Sequence, residues 1–247
     1  VIYDVRKGDR FEDRERVLEY LKEKKFERVL DIGGTHEPWA KEFVNAYIDV
    51  KHPVEYQKTL GGKHPEVWLS DGRLEASDVW VNDLDDDMFW REFIEGLNGR
   101  EHNYRGPYDF AICSHVIEHV SNPYLLLRTL PLIAKEGWVA IPTTGLELKR
   151  RDSYGIITRG APFHRWICVV KKEGDSHRFW MYPKYAFVQT MPGLEWADEA
   201  VDRVQVSFFW KNDLPHEIYT EGHLPWTADK SAVLEVYRET FRGPYEI

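Results

Sequence analysis

Cysteine is nearly absent from this chain of 247 residues, Cys113 and Cys168 being its only two. Two thiols are too few for a disulfide framework or for a structural zinc site built on cysteine, and no Asn-x-Ser/Thr glycosylation sequon occurs. A reducing, cytoplasmic setting is therefore expected. Positive charge is also short: 33 basic against 42 acidic residues leave a formal net charge of -9, so the chain as a whole offers no field that would gather phosphates. No nucleic-acid partner is expected. Long apolar runs are missing too, since none nears the roughly 20 residues that a membrane-spanning helix needs, and the N-terminus lacks the charged-then-apolar order of a signal peptide. The first residue is Val1 and not Met, which is compatible with a domain cut from a longer polypeptide and equally with a trimmed chain. What the chain does have is apolar mass. Hydrophobic residues make up 43% of it, with 10 Trp, 13 Tyr and 12 Phe, enough to fill one large core.

Apolar runs of two periods alternate along the first part of the chain. Residues 11–25 place Val17, Leu18 and Leu21 on one face of a helix, and residues 28–32 form a short apolar run that ends at Asp31 and turns at once through Gly33 and Gly34. Pro38 suits the first turn of a following helix. Further strands are expected at 46–50, 79–82, 108–114 and 138–142. Residues 121–133 read as a helix that Pro131 shortens, and Gly137 as a helix stop. Repeated strand–helix units imply an α/β fold, a mostly parallel sheet covered by helices on both faces. Residues 145–192 differ in texture. Two β-rich pieces, 165–170 and 178–182, read as an inserted hairpin that covers the acceptor side of a site as a lid. Residues 201–210 and 217–220 read as a closing antiparallel pair, and 228–241 as a last helix.

Strand ends carry the chemistry. Glycines after Asp31 let a ligand approach the backbone, and Asp49, at the end of the next strand, is placed where a carboxylate accepts from ribose hydroxyls. Asp83 and Leu84 follow the third strand. The stretch DFAICSHVIEHVSNP, 109–123, ends the fourth. In these residues the sequence resembles the class I S-adenosylmethionine-dependent methyltransferases over about residues 26–143. That resemblance implies a doubly wound, Rossmann-like sheet of seven strands and S-adenosylmethionine as cofactor, with S-adenosylhomocysteine as product. By it, Asp31, Gly33 and Gly34 line the methionine part, Asp49 the ribose, Asp83 and Leu84 the adenine, and Cys113, Ser114 and His115 the sulfonium. Thr35 stands where the family often has a third glycine. The run Gly33-Gly34-Thr35-His36-Glu37-Pro38 is also not the G-x-G-x-x-G of a dinucleotide site, which argues against a dehydrogenase.

Methyl transfer to a hydroxyl needs alignment and removal of a proton. His164 and His115 are the candidate bases, with Arg165 and Trp166 as acceptor contacts. The acceptor implied is a small polar molecule, foremost a sugar or glycan hydroxyl, as in methyltransferase domains fused to glycosyltransferases of bacterial or large-virus polysaccharide synthesis. Alternatives are N- or O-methylation of a metabolite, a nucleoside-binding module without turnover, and a zinc hydrolase, since His115, Glu118 and His119 spell H-x-x-E-H. Asp83, Asp85, Asp86 and Asp87 carry donors for Mg²⁺, but acids also favour a helix N-terminus, and no metal is expected.

Overall fold

The computed structural model describes residues 1–34, 39–50, 79–99, 106–153, 156–190, 192–198, 205–219 and 230–241. Its centre is a seven-stranded sheet. Strands β1 (Ile2–Gly8), β2 (Val29–Ile32), β3 (Ala46–Asp49), β4 (Val79–Val81), β5 (Tyr108–Ser114), β6 (Ala134–Pro142) and β11 (Gln205–Lys211) lie in the order β1-β11-β6-β5-β2-β3-β4. Neighbours among β2 to β6 pair in parallel, while β11 runs antiparallel between β6 and β1. This is the mostly parallel doubly wound sheet that the alternating pattern implied.

Each inner strand is buried on both faces, and its side chains sort between two cores with a period of two. Leu30, Ile32, Ile48, Ala111, Cys113, Val139 and Ile141 pack on one side with helices α2 (Asp87–Asn98) and α3 (Pro123–Ile133). Val29, Tyr47, Phe110, Ile112, Trp138 and Ala140 pack on the other with Val17 and Leu21 of α1 (Arg10–Lys24). Helix α1 starts where the Asp9 carboxylate accepts from the Phe11 amide at 2.7 Å and stops at Lys25 in the left-handed region. The strand order reverses between β2 and β5. In an open α/β sheet the crevice at the carboxyl ends beside such a switch is where ligands bind.

Several expectations are corrected. Residues 2–8 form an edge strand that the sequence reading passed over. Gly137 does not stop a helix: α3 ends at Ile133 and Gly137 lies inside β6, where a Cβ would collide with the Ala111 carbonyl and the Trp210 indole. Strand β11 and β12 (His216–Ile218) do not pair with each other, because β11 is inserted in the main sheet and β12 joins a second one in parallel. The hairpin exists, as β9 (Trp166–Glu173) and β10 (Ser176–Pro183), preceded by α4 (Thr144–Leu148), β7 (Arg150–Ser153) and β8 (Ile156–Arg159). It is no loose cover. Cys168, Val170, Phe179 and Met181 belong to the main core, and Ile167, Val169 and Tyr182 pack with Val233, Tyr237 and Phe241 of α5 (Lys230–Phe241). Both faces are buried, so only the turn before β9 is placed to serve a site.

Candidate functional site

At the carboxyl ends of β2, β3 and β5 lies a cavity of about 750 Å³, within the size range of small-molecule sites. Asp31, Gly33, Gly34, Asp49, Asp83, Leu84, Ser114 and His115 line it, eight of the expected cofactor residues. They meet because neighbouring strands end together: after β2 the Gly33 amide donates to the Ile48 carbonyl of β3 at 2.8 Å, and after β4 the Asn82 amide donates to the Asp49 carbonyl of β3 at 2.9 Å. Gly33 has φ +74°, and a Cβ there would strike Val116. A Cβ on Gly34 would collide with the Asp31 carboxylate, which folds back beneath the turn.

That carboxylate is 1% exposed, and its Oδ2 has no hydrogen-bond partner. Burial and the nearby Asp49 push the Asp31 pKa well up against the pull of Arg14. An orphaned acid beneath a glycine turn is costly without a ligand and suits a positively charged group. Asp49 is also buried, its Oδ1 held by the Val50 amide at 2.7 Å. Arg10, Arg14, Trp39, Val50 and Phe163 complete walls that sequence reasoning missed. Arg14 gave one usable signal, a charge one helical turn from Val17 on a largely apolar face.

Three expected residues stand elsewhere, Cys113, Trp166 and His164. Cys113 is 1% exposed inside the core, its thiol pKa raised by burial and by the nearby Glu118 and Asp31, and the cavity begins one residue later at Ser114. Trp166 faces away from Arg165, as consecutive extended residues do, and its indole donates to the Val120 carbonyl at 2.8 Å in a separate groove with Tyr124 and His216. Arg165 does line the cavity, and so does Phe163, 66% exposed. Thr35, His36, Glu37 and Pro38 lie outside the described residues.

The histidines gather on one wall. His115 ends β5 with φ +55°, a strained position for a residue with a Cβ. Its Nε2 lies 3.0 Å from Gln205 Oε1, and the Gln205 amide donates to Asp13 Oδ2 at 2.7 Å, so the chain of bonds makes Nε2 the protonated nitrogen and turns Nδ1 to Glu118 at 3.3 Å. His119 lies flat against Phe163, with ring centroids 5.5 Å apart. Burial holds its pKa below the usual histidine value although Glu118 opposes the shift. His164 is not among the cavity-lining residues: its Nδ1 is bound to Glu147 Oε1 at 2.6 Å, and Glu147 also accepts from Lys184 at 2.6 Å. This corrects its expected place as a base facing the acceptor.

The zinc-hydrolase expectation fails on geometry. Residues 115–119 form a turn after β5, so the two histidines do not share a helix face as that motif requires. The four aspartates are accounted for locally as well. Asp85 accepts from the Ser121 and Asn122 amides, Asp86 caps α2, Asp83 holds the Asp85 amide, and Asp87 pairs with Arg91.

Comparison with solved structures finds weak likenesses. The N-terminal domain of EvdMO1 with SAH bound is 10% identical, with 80% of each chain covered and a TM-score of 0.41. The methyltransferase domain of a bacterial CtHen1 is 14% identical over 80% of this chain and 96% of that one, at 0.40. An O-methyltransferase family protein from Burkholderia thailandensis is 9% identical over 81% and 56%, at 0.39. No curated protein matches the sequence. The assignment rests instead on a family model described as a methyltransferase domain, which matches residues 6–182. By that match, the chain belongs to the methyltransferase-domain family, the class I S-adenosylmethionine-dependent enzymes.

Proposed function

We propose that the protein transfers a methyl group from S-adenosylmethionine to a hydroxyl of a sugar or glycan. The bound cofactor supplies an electrophilic methyl carbon on a sulfonium. Asp31 faces the positive part of the ligand, Gly33 and Gly34 leave it room, Asp49 accepts from the ribose hydroxyls, and Asp83 and Leu84 flank the adenine. Ser114 and His115 border the reacting end. The lining fits this ligand on the orphaned Asp31 carboxylate and the glycine turn above it.

The observation that supports a sugar is the exposed ring of Phe163 beside Arg165 on the cavity wall. An aromatic face stacks on the apolar face of a pyranose, and a guanidinium donates to its oxygens. His115 is the base for the hydroxyl proton, and Glu118, 3.3 Å from its Nδ1, stabilises the imidazolium that forms.

Mass spectrometry after incubation with S-adenosylmethionine and a panel of sugars, oligosaccharides and amine metabolites tests this. A sugar product one methyl group heavier, with S-adenosylhomocysteine released, is expected. Methylation confined to amines would sink the sugar assignment, and cofactor binding with no turnover on any acceptor would sink the enzymatic one. His115→Ala should lower kcat by roughly 10²–10⁴ at saturating cofactor with cofactor affinity kept.

A further inference from the structure

Glu118 is fully buried, yet neither carboxylate oxygen accepts a hydrogen bond. Its neighbours are imidazole nitrogens: His115 Nδ1 at 3.3 Å and His119 Nε2 at 4.0 Å from Oε1. The second acid of this region, Glu147, is neutralised by Lys184, whereas no lysine or arginine is bonded to Glu118 among the described residues. One ligand atom from each of Glu118, His119 and His164 lies within 4.8 Å of the others. We propose that these three residues bind one divalent first-row transition ion in the wall of the cavity.

The donor set fits such an ion. Two imidazole nitrogens and one carboxylate oxygen suit manganese, cobalt or zinc, whereas magnesium and calcium favour oxygen alone. Metal–ligand bonds of about 2.1 Å at tetrahedral angles place ligand atoms about 3.4 Å apart, so the cluster, whose atoms lie within 4.8 Å of one another, must contract by up to about 1.4 Å to close on an ion. The His164 tautomer is set for it. His164 is tied through Nδ1 to the buried Glu147, which leaves Nε2 as its donor and reproduces the carboxylate–histidine–metal arrangement that orients ligands from behind. Backbone bonds fix the approach of the two segments: the Arg165 amide donates to the Glu118 carbonyl at 2.8 Å, which holds the turn carrying His164 against the turn carrying His119. Three protein ligands leave coordination positions open, and His119 lines the cavity, where water or an acceptor oxygen would take them.

Full-length, tag-free protein stripped with a chelator and titrated with Co²⁺ tests the site by visible absorption and by calorimetry. Neither cofactor nor acceptor is added, so the outcome is independent of which molecule is methylated. Saturation at one Co²⁺ per chain is expected, with bands in the visible that Zn²⁺ abolishes by competition. His119→Ala, at a half-buried position, and Glu118→Gln should each weaken Co²⁺ binding at least ~10-fold. His177→Ala, at the far end of the hairpin, should leave it unchanged. Circular dichroism checks that the variants are folded. No uptake by the unaltered protein overturns the proposal, as does equal uptake by the unaltered protein and a folded His119→Ala variant.

Discussion

Asp31 shows how a single side chain trades stability for binding. Its folded pKa is raised, so its contribution to stability is fully present below the unfolded value and is lost as pH rises through the folded one. At neutral pH the cofactor-free protein therefore carries a cost at this residue. Asp31→Asn should melt at a higher temperature than the unaltered protein at pH 8 without ligand. That gap should close on acidification, and the same variant should bind S-adenosylmethionine more weakly; thermal melts across pH with parallel calorimetry check both. Asp49→Ala should cost cofactor binding about 1.5–3 kcal/mol, the worth of hydrogen bonds to a charged group. Unchanged affinity in a folded Asp49→Ala variant would remove Asp49 from the ribose. Gly34→Ala should fold and bind poorly, because its Cβ displaces the Asp31 carboxylate; a retained affinity would mean the turn yields more easily than its geometry implies.

Among the elements, the turn before β9 and the hairpin itself separate binding from stability. Arg165 lines the cavity, while Trp166 ties β9 to the Val120 carbonyl. Arg165→Ala should raise the acceptor KM at nearly constant melting temperature. Trp166→Ala should lower stability by up to about 3 kcal/mol with KM little changed, as a denaturant titration beside the kinetics would show. Reversed outcomes would put the tryptophan and not the arginine on the acceptor. The inner strands were legible in the sequence because burial on both faces leaves continuous apolar runs, and 108–114 matches β5 residue for residue. Strand β1 was not legible, because IYDVRKG alternates with charges and kinks at Asp4, whose φ is +48°. The pairing partner of β12 was hidden for another reason: three residues carry no record of which strand lies beside them. Within the site, residues following strands were readable from position alone. His164, Glu147 and Lys184 meet through three segments far apart in sequence, and only the fold brings them together.

For the molecule as a whole, the edge of the sheet beyond β11 is closed by β1. Removing residues 1–8 would turn β11, with Val206, Phe208 and Trp210 in the core, into an open edge. Such a truncated chain should elute as aggregates in size-exclusion chromatography, whereas a truncation that left a soluble monomer with an unchanged melt would show that the edge strand is dispensable. The same pairing has a consequence for how the protein is made. Ile2 pairs with Trp210, so β1 leaves the ribosome some two hundred residues ahead of the strand it pairs with. Until that strand follows, the nascent chain can assemble β2 to β6 but not finish its sheet. Closure over so long a separation makes the final docking of β1 a slow, non-local step, and the stretch of synthesis before it is when an unpaired β1 is open to the wrong partner.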